Sequence, residues 1–397
     1  MLLLGVTAYP QPQAVTSTEQ NPEQATGTPG RIPRDNPPPK PNPYNRTGEL
    51  NQPYQAPFLP AGGINVKPTD IPVYEPMSDF DYQSLALGLH QEWIELDLFQ
   101  EGLRRFSVEE FEKAGLEEAD RKLIEFMAQQ EIGHAQLISN MLGPEAPKQC
   151  EYQYPFKTVR EFFDFCQKLT RWGEAGVYGF LPHMDSTAAA QMLLQSITTE
   201  ARQQMIFRQF EGLFPMPVWF EVGVPQSFAW TLLAPYIKGC PPENHKLKWA
   251  NFPGLNITNN PKPYEDEKYN ASISTIRPNF SFPGRAVEFA WEAPGKAVGP
   301  NMSYTTATIT KDPPQFAAWI SQLNTTYTPL YDIDGDEKKG WTGKAKQPEG
   351  SLFSELNPML NGTSFVVLTD TDLYVTPHNL SLINNHIVAG PQMYQVG

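Results

Sequence analysis

The chain has 397 residues, 40% of them apolar and 19% charged, which is enough for one large folded body or two ordinary ones. Its 30 basic residues are outnumbered by 44 acidic ones, for a formal charge of −14. That balance argues against nucleic acid or an anionic membrane as the main partner.

The first residues, Met1-Leu-Leu-Leu-Gly-Val-Thr-Ala8, resemble the end of a secretory signal, shorter than the roughly 15–30 residues a complete one needs. Residues 1–8 are read as its remnant. No later stretch reaches the ~18 consecutive apolar residues of a transmembrane helix. Residues 9–76 are rich in Pro, Gln, Asn and Thr and contain Pro37-Pro-Pro-Lys-Pro-Asn-Pro43. They read as an extended arm of polyproline character, wrapped in part on the body through Tyr54, Phe58, Leu59 and Tyr74.

From 77 to 240 the period is helical. Helices are predicted over about Asp79–Arg105, Glu117–Met141, Thr158–Leu181 and Ser186–Gly212, with a shorter fifth over about Pro225–Ile237. The second stops at Gly143-Pro144 and the third at Pro182. Three apolar seams carry misplaced polar residues. The first reads Leu85, Leu89, Glu92, Leu96, Phe99, Leu103, with Glu95 bordering the same face. The second reads Ile124, Met127, Glu131, His134, Ile138, Met141. The last reads Leu193, Ile197, Glu200, Gln203, Phe207, Phe210. A carboxylate on a core-facing stripe is costly unless it is paired. Glu-x-x-His on an inward face is how four-helix di-metal proteins hold their ions. Glu92, Glu131, His134 and Glu200 are therefore expected to converge. Glu131-x-x-His134, echoed by Glu200-x-x-Gln203, also suggests two duplicated hairpins.

After Pro241 the pattern breaks into short segments. Ala286–Trp291, Tyr304–Ile309 and Ser364–Leu368 read as strands, and Phe316–Leu323 as one short helix. Residues 241–397 are expected to be a β-rich or largely irregular appendage packed on the bundle. Asn-x-Ser/Thr triplets occur at Asn45, Asn256, Asn270, Asn279, Asn301, Asn324, Asn361 and Asn379. Seven of these eight follow residue 250, which suits an exposed, N-glycosylated region. Of the three cysteines, Cys166 lies on a helical seam. Cys150 and Cys240 flank the helical region, and their pairing is left open, with an oxidising compartment in its favour.

Leu89-His-Gln-Glu92-Trp-Ile-Glu95-Leu-Asp-Leu-Phe99, Gln130-Glu131-Ile-Gly-His134, Thr199-Glu200-Ala-Arg202 and Val224–Tyr236 resemble the ferritin-like domain of secreted fungal proteins described as stress-response or sexual-development proteins. The resemblance covers about residues 75–240. It implies a mainly α fold, a ferritin-like four-helix bundle, with Fe or Mn as the expected metal. It also implies an extracellular or cell-wall location, with wall or homo-oligomeric contacts.

The chain departs from a complete di-metal site in two places. The third-helix seam reads Phe162, Cys166, Leu169, Gly173, Gly176, Phe180, so a glycine stands where a carboxylate would face inward, and Glu174 is turned about 100° from that face. In the fourth helix Gln203 replaces histidine, and an amide is a poor transition-metal ligand. Two readings remain open. In one, Glu92, Glu131, His134 and Glu200 hold one or two Fe or Mn ions, with Glu174 as a fifth ligand, as in a di-metal oxidoreductase. In the other, they form a metal-free polar network with Arg202 or His90 as counter-charge, without classical di-iron catalysis. A third expectation is a small-molecule cavity left by Gly173 and Gly176.

Weaker features have bland alternatives. Tyr331-Asp332-Ile-Asp334-Gly-Asp336-Glu337 resembles a calcium loop but fails its spacing, and reads as a solvated acidic turn. Trp219, Phe220, Trp230 and Tyr236 are either pocket-lining or core. His378 and His386 have no paired ligand in the sequence. No nucleophile-elbow, phosphate-loop or dinucleotide motif is present.

Overall fold

The computed structural model describes residues 74–266, 268–275 and 280–397. The expected arm therefore falls outside the described residues except at its end, where Tyr74 is buried in the core.

Six α-helices lead: α1 Asp79–Arg105, α2 Val108–Lys113, α3 Glu118–Leu142, α4 Val159–Phe180, α5 Thr187–Phe210 and α6 Gln226–Leu233. Their starts follow from capping chemistry. Ser78, Ser107, Thr158 and Ser186 each accept a backbone N–H of the first turn, and Ser107 and Thr158 complete capping boxes with Glu110 and Glu161. The short α2 is absent from the expected elements, because six residues are too few to show a period. The long helices α1, α3, α4 and α5 pack as α1 on α3, α4 on α5, α1 on α4 and α3 on α5. Asp81 joins two helix starts: its carboxylate accepts the Asp185 and Ser186 backbone N–H groups, each at 2.9 Å. Glu92 then lies about three turns along α1, and Glu200 about four turns along α5.

Between α3 and α4 the chain crosses the bundle through β1 (Glu151–Tyr152), which pairs with β2 (Ile237–Gly239) just after α6. A disulfide joins Cys150 to Cys240 beside that ladder, with a Cα–Cα distance of 4.3 Å. Cys166 is free and buried.

The C-terminal half corrects the mainly α expectation. Seven antiparallel strands form one sheet in the order β11-β10-β7-β8-β9-β4-β3: β3 Leu255–Ile257, β4 Ala286–Trp291, β7 Phe316–Ser321, β8 Asn324–Asp336, β9 Gly340–Lys346, β10 Thr363–Thr369 and β11 Ile387–Gln395. A separate ribbon pairs β5 (Ala297–Val298) with β6 (Tyr304–Thr305), so the strand expected over Tyr304–Ile309 shrinks to two residues. The sheet curls until its edges meet. The Gly390 N–H donates to the Pro253 carbonyl at 2.9 Å, and Asn260 bonds the backbone of Met393 and Gln395.

The helix expected over Phe316–Leu323 is strand β7. Its Ala318 and Ile320 join the helical core, while Ala317 and Trp319 join the interior of the curled sheet. The neighbouring β10 does the same, with Phe365 and Val367 on one side and Val366 and Leu368 on the other. Strands apolar on both faces lose the alternation that identifies a strand in sequence. One core thus runs from the helices into the outer face of the sheet, and of the two alternatives for the C-terminal region the described residues follow the strand-rich one, packed on the helices.

Candidate metal centre

Each polar residue on the three seams is buried where its helix register puts it. Glu92 is 3% exposed, Glu131 0%, His134 9%, Glu200 1% and Gln203 2%. Glu92, Glu131, His134 and Glu200 each offer a ligand atom within 4.8 Å of the others. His134 Nδ1 lies 3.0 Å from Glu131 Oε2, 3.2 Å from Glu92 Oε2 and 3.8 Å from Glu200 Oε1.

Glu95 belongs with this group more closely than a bordering position suggests. It is 0% exposed, and Gln91 donates to its Oε1 at 2.8 Å. Three helices therefore each supply a pair spaced by three: Glu92 and Glu95, Glu131 and His134, Glu200 and Gln203. The Gln203 Nε2 donates to Glu131 Oε1 at 2.6 Å, which leaves its Oε1 buried beside the cluster.

The remaining long helix, α4, contributes no residue to the cluster. Glu174 lies outside the cluster: Arg171 donates to it at 3.2 Å and the Tyr178 hydroxyl at 3.3 Å. Arg171 also pairs with Glu221. The space beside Gly173 is taken by Gln91, whose side chain would lie 2.5 Å from an added Cβ, and Ala229 fills the space at Gly176. The cavity expected from those two glycines is thus closed.

Counter-charge is the deciding quantity. Four buried carboxylates face one imidazole. Arg202 is exposed, and His90 packs on Trp230 with its Nδ1 3.8 Å from Cys150 Sγ, away from the cluster. Burial lowers the His90 pKa to about 4, so the ring is neutral. Neither supplies the charge that the metal-free network requires. Among the described residues, the ion pairs of Glu92, Glu131 and Glu200 are all with His134.

The carboxyl groups respond as uncompensated acids do. Burial pushes Glu92 up to about 7 against the pull of His134. Burial, reinforced by neighbouring glutamates, holds Glu95 and Glu200 well above the usual carboxylate range. Burial opposes charging His134, yet the Glu92 charge and the hydrogen bonds to Glu131 and Glu92 push it up to about 11. Glu95 Oε2, Glu200 Oε2 and Gln203 Oε1 are buried with no hydrogen-bond partner among the described residues. Orphaned carboxyl and amide oxygens at the meeting point of three helices fit a hard or borderline divalent cation.

Thr199 sets the tautomer. Its hydroxyl donates to the Ser196 carbonyl at 2.8 Å, so it must accept from His134 Nε2–H at 3.0 Å. That leaves Nδ1 toward the carboxylates, where its lone pair is repelled unless a proton or a cation sits between them. No seam pattern points to Thr199, since it lies one position off the α5 core face.

The remaining sequence candidates separate. The acidic turn does not gather ligands: Asp336 accepts the Lys338 and Lys339 backbone N–H groups, and Asp332 pairs with Lys344 at 3.7 Å. Trp219 and Phe220 pack on Phe353 at the surface, Trp230 is core, and Tyr236 stacks on Trp172, so these four line no common pocket. His386 bonds Asp370 at 2.9 Å, and His378 stacks near His183. Among the sequons, Asn256, Asn270 and Asn301 are exposed, and Asn324 and Asn379 are half-buried. Asn361 is buried, with its amide donated to the Pro217 carbonyl, so a glycan there is incompatible with this packing. Asn45 and Asn279 lie outside the described residues.

Comparison with known proteins agrees with this geometry. Residues 78–213 match the ferritin-like domain. Protein rds1 of Schizosaccharomyces pombe (strain 972 / ATCC 24843) is 54% identical over 369 residues, which covers 89% of this chain and 90% of the relative. No helix among the described residues is long and apolar enough to cross a membrane. The buried Glu and His cluster is thus set in a ferritin-like domain, and the chain belongs to the same family as this fungal protein.

Proposed function

We propose that the chain is a metal-holding ferritin-like protein whose site takes a single Fe or Mn ion through Glu92, Glu131, His134 and Glu200, with Glu95 adjoining. The observation that carries this is the convergence of those four residues within 4.8 Å of one another, with oxygens of Glu95 and Glu200 buried and unpartnered among the described residues. A divalent ion displaces the protons those acids hold and gives the orphaned oxygens a partner.

The chemistry such an ion supplies when bound is Lewis acidity and one-electron exchange. The chain's own residues bind and orient. Glu131 is held by Gln203, the His134 ring is fixed by Thr199, and Glu95 is restrained by Gln91, which also donates to the Leu169 carbonyl at 3.0 Å. Replacement of the helix-four histidine by Gln203, and of a helix-three carboxylate by Gly173, argues for one ion rather than two. It also argues against classical di-iron oxidation. The Cys150–Cys240 disulfide and three exposed sequons support a secreted glycoprotein. The family resemblance supports a role in stress response or development.

Elemental analysis of the purified protein tests the reading, together with melting curves in added Mn(II) or Fe(II). The expected result is about one metal ion per chain and a higher Tm, both absent in the Glu131→Ala, His134→Ala double variant. Metal-free protein with an unchanged Tm in excess Mn(II) and Fe(II) contradicts it.

A further inference from the structure

The curled sheet carries a second feature that the metal centre does not use. Trp291 on β4 and Trp341 on β9 are directly opposite in register, and their rings stack at 15° with centroids 6.4 Å apart. Trp291 closes the interior of the sheet and is 4% exposed, whereas Trp341 is half-buried at its end. Two clefts flank this pair. One, of about 410 Å³, lies between the tryptophans, Ile333, Val388 and the Thr308–Pro314 loop. The other, of about 500 Å³, lies between the same tryptophans, β3 and the Glu337–Lys339 turn. Both also share Glu292 and Glu337, so the two clefts adjoin at the tryptophan pair, of which Trp341 is the more exposed ring. Each volume is in the range of ligand sites.

The lining decides the class of ligand. Its charges cancel: Glu292, Glu337 and Asp312 stand against Lys311, Lys338 and Lys339. Glu292 is further engaged by Lys296 at 2.7 Å. A balanced rim gives no net attraction to a phosphate or an organic cation. It offers donors and acceptors on both sides of a flat apolar surface. A pyranose with equatorial hydroxyls has that complement, since its C–H face sits against the negative face of an indole while its edge hydroxyls reach acceptors and donors.

We infer that the groove over Trp341 binds neutral, equatorially substituted saccharide chains. Two sources present this chemistry: an external polysaccharide, or the protein's own N-glycan. Asn256 is exposed at the edge of the second cleft, within the sequon Asn256-Ile-Thr258. A glycan attached there begins beside the groove.

Calorimetry with laminarihexaose and hexa-N-acetylchitohexaose, on the full-length protein and on its Asn256→Gln variant, tests the site. The inference expects saturable binding of at least one of the two, weakened about tenfold or more by Trp341→Ala, a change of about 1.4 kcal/mol. Partial retention is expected in Trp341→Phe. Equal affinity in wild type and Asn256→Gln identifies an external chain as the occupant. Tighter binding once Asn256 is replaced identifies the protein's own glycan. If Trp341→Ala does not fold, Ile333→Ser, at a residue 46% exposed in the first cleft, takes its place with the same expected loss. No binding of either oligosaccharide to wild type or Asn256→Gln overturns the inference, and so does binding unaffected by the groove variants. The metal-site reading is untouched by any of these outcomes.

Discussion

Thr199 and Gly173 border the acidic cluster without belonging to it. Thr199 accepts from His134 Nε2–H and so turns Nδ1 inward. Thr199→Val removes that acceptor and keeps the shape. Isothermal titration with Mn(II) is expected to show affinity reduced roughly 10–100-fold, with the fold intact by circular dichroism. Unchanged affinity would show that the ring is held by other contacts. At Gly173 a methyl group meets the Gln91 side chain. Gly173→Ala is expected to cost about 1–3 kcal/mol in urea unfolding, because Gln91 must leave Glu95 or distort α4. A neutral or stabilising substitution would mean that Gln91 is free to move. The clustered residues themselves were legible in sequence, since Glu92, Glu131, His134 and Glu200 interrupt apolar seams at regular spacing. Gln91 and Thr199 were not, because an amide or hydroxyl beside a seam looks the same whether it faces solvent or a neighbour.

Among the elements, the crossover from α3 to α4 is the one held covalently. The disulfide closes a sequence separation of 90 residues that contains α4, α5 and α6. Cys150→Ser is expected to lower stability by roughly 2–5 kcal/mol, read as a reduced denaturation midpoint. Equal midpoints for variant and wild type would leave the bond without a structural role.

The end of α5 offers a pH test away from the metal centre. Glu211 caps that helix with both carboxyl oxygens buried and unbonded among the described residues. Burial, then the charge of Asp164, pushes it up to about 8, against Lys168, Arg208 and Arg160. A carboxyl raised from 4.5 in this way contributes stability that is full below about 4.5 and is lost as pH rises through about 8. Glu211→Gln should therefore flatten the decline between pH 5 and 8, where one proton corresponds to a slope of at most about 1.4 kcal/mol per pH unit. Parallel stability curves for wild type and variant would contradict this. Helix limits were readable from caps and periods, and α1 lies where the seam places it. The strand β7 was not readable, because burial on both faces gives it a continuous apolar run with two alanines.

At the scale of the whole molecule, the helices and the curled sheet share one core, through Ala318, Ile320, Phe365, Val367, Ile387 and Met393. A domain boundary near Pro241 was suggested by the change in composition. Composition, however, records local propensity and not which faces are shared. The sheet packs on the helical layer while α1, α3 and α5 enclose the acidic cluster, so whatever neutralises the cluster, ion or proton, sits inside it and the proposed occupant is an ion. Anomalous diffraction at the Fe and Mn edges from crystals grown with the metal is the most direct test of that claim. A single peak among Glu92, Glu131, His134 and Glu200 is the predicted result. No peak there at full resolution, with the carboxyl groups bonded to one another through protons, would contradict it.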